Sequence, residues 1–127
     1  MKMKVVLVIQ GVLATLFGLA FLVVPRMGMQ PFLFGGEEAS AVFYFLTRCF
    51  GASVIVIAVL SWAGLRLTDR YAKRIIAAAF GIWTLLTGLL FIFATTSEVV
   101  PAFGWSQVGI NFVMFVLYVS TFFRSDP

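Results

Sequence analysis

The sequence predicts an all-α fold: an integral membrane four-helix bundle with both termini in the cytoplasm. Three observations carry that expectation. Of 127 residues, 62% are hydrophobic and 11% are charged, against about 45–50% and about 25% in a soluble domain. The apolar residues fall into four continuous runs, each near the roughly 20 residues that cross a bilayer core as a helix. Lys and Arg collect on one side of those runs, which sets their orientation. The mean hydropathy of +1.09 excludes disorder, a disulfide scaffold and a water-soluble enzyme core. A chain of this length makes one membrane domain over 1–127.

The first span covers about 5–24 and is interrupted only by Gln10 and Thr15. Met1-Lys2-Met3-Lys4 before it resembles the start of a secretory leader, with Gly18-Leu19-Ala20 as a cleavage site. Its apolar stretch outlasts the roughly 7–15 residues of a leader's apolar region, so a retained helix is expected. The second span, about 41–65, holds one charge, Arg48; the third, about 75–94, holds none. The fourth, about 102–123, carries Gln107 and Asn111. Lipid admits only helices or closed barrels, and the runs lack the period-2 alternation of barrel strands.

Orientation follows from the flanking cations. Lys2, Lys4, Arg66, Arg70, Lys73, Arg74 and Arg124 lie on one side, and Arg26 alone on the other. Glu37, Glu38 and Glu98 fall in the opposite loops. The basic side is therefore expected in the cytoplasm of a cell whose inner (plasma) membrane holds the protein. Topology accounts for the net charge of +4, so no nucleic-acid partner is expected. Attraction of the basic cluster to anionic lipid is a secondary effect. The longer outer connection carries Pro25, Pro31, Gly28, Gly35 and Gly36 around Phe32-Leu33-Phe34. Its apolar content predicts a segment at headgroup level or folded back onto the bundle. Trp105, Trp62 and Tyr71 fit the aromatic belts.

A weak internal repeat relates the first span to the third. At an offset of 70, Gly11, Leu16, Gly18, Leu19 and Phe21 match Gly81, Leu86, Gly88, Leu89 and Phe91. Glycines seven apart share one helix face, and small residues at such spacing let backbones approach closely in lipid. Gly11, Gly18, Gly81 and Gly88 are the expected helix-packing positions.

Missing residue types exclude many activities. There is no His, and the single Cys49 cannot form an internal disulfide or a redox pair. It reads as an apolar filler. No Asp, Glu or Lys lies inside a span. That disfavours proton-coupled small exporters, retinal proteins and intramembrane hydrolases. Small fluoride channels share the length and the 15 Phe, but the expected polar break in the third span is missing. No catalytic residue, cofactor or metal site is expected, and no enzymatic activity.

Arg48 is the one ionised side chain inside a span, where a central Arg costs about 2.5–3.5 kcal/mol unless it reaches the interface or a partner. Asn111, Gln107, Tyr44 and one glutamate, Glu98 among them, form with it a candidate outer-leaflet polar cluster. That cluster reads either as a register-fixing structural pair or as a site for an anion, headgroup or quinone-like molecule. Gln10 reads as an interhelical hydrogen bond.

One pattern resembles a known family. The first span ends Gly18-Leu19-Ala20-Phe21-Leu22-Val23-Val24-Pro25, and the second carries Arg48-Cys49-Phe50-Gly51-Ala52. A glycine-bearing helix ending in Pro, then Arg-x-x-Gly-Ala, resembles the small DoxX-like four-helix bacterial membrane proteins over the first half of the chain. The family includes a membrane subunit of a thiosulfate–quinone oxidoreductase. The resemblance implies a four-helix inner-membrane bundle serving a redox or envelope complex. It maps Arg48 alone and transfers no catalytic residue.

Two functions are therefore expected. The first is an accessory or structural subunit packing against larger membrane partners, or self-associating, within the lipid bilayer. The alternative is a small binding or transport protein whose outer pocket around Arg48 takes an anionic or amphipathic ligand, such as a lipid headgroup or quinone.

Overall fold

Four long helices account for the four apolar runs: α1 (Met3–Val23), α3 (Ala41–Gly64), α4 (Arg70–Thr96) and α5 (Gly104–Phe123). Each has at least 20 residues, so at about 1.5 Å per residue each reaches across a hydrocarbon core of about 30 Å. Between the first two lie a short helix, α2 (Pro25–Met29), and a 3-10 turn over Gln30–Phe32. The computed structural model describes residues 3–34 and 40–123.

Local chemistry sets the boundaries. Pro25 ends α1, because a residue before proline is pushed out of the helical region; Val24 sits at φ −127°, ψ 65°. Ser40 caps α3, its hydroxyl accepting from the Phe43 amide at 3.1 Å. Asp69 caps α4 by accepting from the amides of Tyr71 and Ala72, both at 3.3 Å. That cap starts α4 five residues before the expected span, so Arg70, Lys73 and Arg74 are helical. A carboxylate there also offsets basic residues at the positive end of the helix dipole. At its other end α4 closes in a Schellman turn: Glu98 N–H donates to Thr95 O and Val99 N–H to Ala94 O, at 3.3 and 2.8 Å. Glu98 takes the left-handed position of that turn, at φ 59°.

The helices pair as two antiparallel hairpins, α1 with α3 and α4 with α5, which meet each other mainly along α1 and α5. Glycines set the close approach within each hairpin. A Cβ on Gly51 would lie 2.7 Å from the Leu22 nitrogen and 3.0 Å from the Gly18 oxygen, so backbone rests on backbone. Gly18 faces Ile55 and Gly11 faces the Trp62 ring; in the second hairpin Gly88 faces Phe112 and Gly81 faces Tyr118. The repeat read at an offset of 70 is thus structural. The ten positions from Gln10 to Leu19 show the same order of buried, half-buried and exposed side chains as Phe80 to Leu89.

Chain direction puts the 65–69 link and the outer ends of α1 and α5 at one end of the bundle, the base. There Val6, Leu7, Ala77, Phe80, Met114 and Tyr118 close a core across both hairpins. At the opposite end, the cap, Phe32 is 5% exposed. Its ring lies 6.4 Å from Phe21, 5.8 Å from Phe91 and 5.2 Å from Phe103. The described part of the connection between α1 and α3, residues 25–34, therefore folds back onto the bundle through one aromatic plug. Around the outside, Val12, Leu16, Val56, Val59, Leu86, Leu90, Val113 and Val116 are exposed, an apolar belt suited to lipid.

Candidate functional site

Between base core and aromatic plug the two hairpins stand apart and leave a cavity of about 480 Å³. All four long helices and the 3-10 turn line it. Aromatic and aliphatic side chains make most of its wall: Phe17, Phe21, Phe43 and Val54 from the first hairpin, Phe91 and Met114 from the second. Leu46, Phe50 and Leu90 line it and are also well exposed on the outside. The gap between α3 and α4 therefore opens sideways into the space a bilayer would fill.

Its polar groups sit at graded depth. Gln10 enters from the base side of α1, 4% exposed, and its side-chain amide has no hydrogen-bond partner among the described residues. Thr47 and Asn111 lie at about the same depth from the cap, roughly 10 Å at 1.5 Å per residue. Both spend a donor on their own helix: Thr47 Oγ1 donates to Phe43 O at 2.9 Å and Asn111 Nδ2 to Gln107 O at 2.7 Å. Thr84 does likewise to Gly81 O at 3.0 Å. The Asn111 carbonyl oxygen and the Gln107 amide stay available. Among the described residues no Asp, Glu, Lys, Arg, Tyr or Cys lines the cavity.

An uncharged amide buried without a partner costs about 1–3 kcal/mol. A space of this size is about three times the apolar cavity that holds benzene, and lies within the range of ligand pockets, about 300–1,000 Å³. The chamber thus suits a mostly apolar molecule bearing a neutral hydrogen-bonding group.

The expected polar cluster is divided between two places. Asn111 and Gln107 face the cavity. Tyr44 and Arg48 lie on another face of α3, in a groove with Arg26, Pro25, Met27 and Phe45. The physical reason is helical: residues 44 and 48 share a face at i, i+4, while adjacent Thr47 turns about 100° away into the cavity. Arg26 sits over the Tyr44 ring, 4.8 Å from its centroid. Glu98 serves in the Schellman turn and makes no ion pair with Arg48. Glu37 and Glu38 lie outside the described residues.

Gln10 departs from its expected role, since it makes no interhelical hydrogen bond among the described residues. Trp62, expected in an aromatic belt, lies over Gly11 and donates from Nε1 to Thr15 Oγ1 at 3.1 Å. Cys49 is free and exposed. Gln10, Thr47 and Thr84 are cavity residues that the sequence reading did not select. Their signal was present: each sits in register with a packing glycine, Gly11 beside Gln10, Gly51 a turn after Thr47, Gly81 and Gly88 on either side of Thr84. Among the described residues no group of three or more potential metal ligands occurs. Compared with protein-family profiles, curated proteins and solved structures, the chain matches none.

Proposed function

We propose that this multi-pass membrane protein binds a neutral amphipathic molecule drawn sideways from the bilayer into the chamber between its hairpins. One observation carries the reading: Gln10, 4% exposed, lines an apolar cavity open to lipid, and its amide makes no hydrogen bond among the described residues. An acyl chain alone would fill the space and leave that amide unmet. A molecule with a carbonyl or hydroxyl at its buried end would satisfy it, and Asn111 and Gln107 offer further contacts nearer the cap. This uncharged site lies deeper in the bundle than the one expected around Arg48 and is distinct from it. The proposed role is binding or transfer, not catalysis, in the inner membrane with the base and both termini cytoplasmic.

The test is native mass spectrometry of the protein extracted gently from its own membranes, with solvent extraction of whatever it retains. Wild type should carry one non-phospholipid small molecule per chain. Gln10→Leu should weaken retention about tenfold, and Thr87→Phe, which fills the cavity, should abolish it in a folded protein. Equal retention in both variants would sink the reading, as would a wild-type protein that carries only membrane phospholipid.

A second reading, the accessory subunit, keeps one favourable observation. The hairpin glycines are consumed internally, but Gly109 faces outward with nothing within 4 Å of a Cβ. A partner helix would find its closest approach there. The DoxX-like resemblance adds no site residue to either reading.

A further inference from the structure

A second site stands apart from the chamber, in the groove at the cap end of the first hairpin. Its volume is about 640 Å³, and Arg26, Tyr44 and Arg48 line it beside Val23, Val24 and Phe45. Arg48 lies about two turns inside a membrane-spanning helix, yet makes no hydrogen bond or ion pair among the described residues. A guanidinium at that depth is costly unless an anion meets it. Among the described residues no Asp or Glu lines the groove. Arg26, held against the Tyr44 ring at 4.8 Å, brings a second guanidinium to the same groove.

The Arg48 guanidinium and the Tyr44 hydroxyl, set where a helix leaves the hydrocarbon with the charge of Arg26 beside them, match a phosphate group. Arginine engages phosphate oxygens through two parallel N–H donors, and a tyrosine hydroxyl donates a third bond. We propose that this groove binds the phosphate of an anionic phospholipid from the leaflet at the cap end. The lipid is favoured over a free anion because the groove walls are continuous with lipid-facing side chains. Val23, Val24, Met27 and Phe45 are all exposed and lead from the arginines into the hydrocarbon. An acyl chain can lie along them while its headgroup stays at the arginines. Positive charge at the base attracts anionic lipid only diffusely; here the cations, the phenol and the chain track form one site.

The experiment uses full-length protein in nanodiscs of phosphatidylcholine with increasing phosphatidylglycerol, read by native mass spectrometry of the lipids retained on ejection. Wild type should hold one phosphatidylglycerol, and so should Arg66→Gln, a control altered at the base that leaves the groove intact. Arg48→Gln should weaken that retention about tenfold, while Arg48→Lys keeps part of it. Melting in pure phosphatidylcholine checks that each variant is folded; Arg26→Gln, on the flanking short helix, gives the same reading should Arg48→Gln fail to fold. Undiminished phosphatidylglycerol on both glutamine variants overturns the site. Inorganic phosphate that raises the melting temperature and displaces the lipid at millimolar concentration overturns the lipid as its occupant.

Discussion

Phe32 and Phe103 meet edge to face, 5.2 Å between centroids and 73° between planes. One belongs to the turn after α2, the other to the approach to α5. Together with Phe91 they join the hairpins at the cap end, where little else does. Phe32→Ala should cost about 3 kcal/mol in SDS-induced unfolding. It should also admit thiol reagent to a cysteine placed at Thr47 in a Cys49→Ala background. Unchanged labelling would mean that the plug does not close the chamber.

The glycines divide by what a methyl group would meet. Gly51→Ala forces two backbones apart and should destabilise by about 1–3 kcal/mol. Gly109→Ala meets open space, and should stabilise by about 0.5–1 kcal/mol through helix propensity. Unfolding in the same micelles ranks the two. Equal effects would contradict the close approach of α1 and α3.

Glu98 occupies a left-handed backbone position that suits glycine. Glu98→Gly should raise stability by about 0.5–1 kcal/mol, the relief of side-chain crowding less the added freedom of the unfolded chain. A loss of stability would assign the carboxylate a role beyond the turn.

Tyr118 is fully buried and its hydroxyl has no hydrogen-bond partner among the described residues. Its ring packs edge-on to Phe80 at 5.7 Å, a contact that phenylalanine keeps. Tyr118→Phe should be neutral or stabilise by about 1 kcal/mol. Clear destabilisation in thermal melts would show that the hydroxyl is satisfied after all.

Among the described residues no titratable side chain lines the chamber. Retention of its ligand should therefore be flat between about pH 5 and pH 9, a window in which a Cys thiol or a carboxyl raised by burial would otherwise titrate. Native spectra across that range check it, and a sigmoidal loss would call for an ionisable group on the ligand itself.

Much of the fold was legible in the sequence because lipid makes simple demands. Apolar runs located the four helices, and the glycine spacing located the faces that pack. The reading fell short where backbone chemistry outran hydropathy, as at Asp69, whose side chain carries α4 into a basic segment that hydropathy assigns to the link. It fell short again at the polar cluster. Depth along the chain grouped Arg48 with Asn111, but rotation about the helix axis separates them. Thr47 and Arg48 are neighbours in sequence and face different environments. Gln107 and Asn111 stand out in the sequence as polar residues in an apolar span, and both line the cavity. What they face, a gap between hairpins, arises from long-range docking that no local pattern encodes.

The two-hairpin plan also bears on how the molecule comes to exist. Each pair closes on its own glycines through contacts a few tens of residues apart, so each can form as soon as its second helix has entered the membrane. The seam between the pairs is made last and from little: a core at the base and three aromatic rings at the cap. Cutting the chain in the 65–69 link should then leave two pieces that find each other in the bilayer, and the chamber would be the product of their reunion.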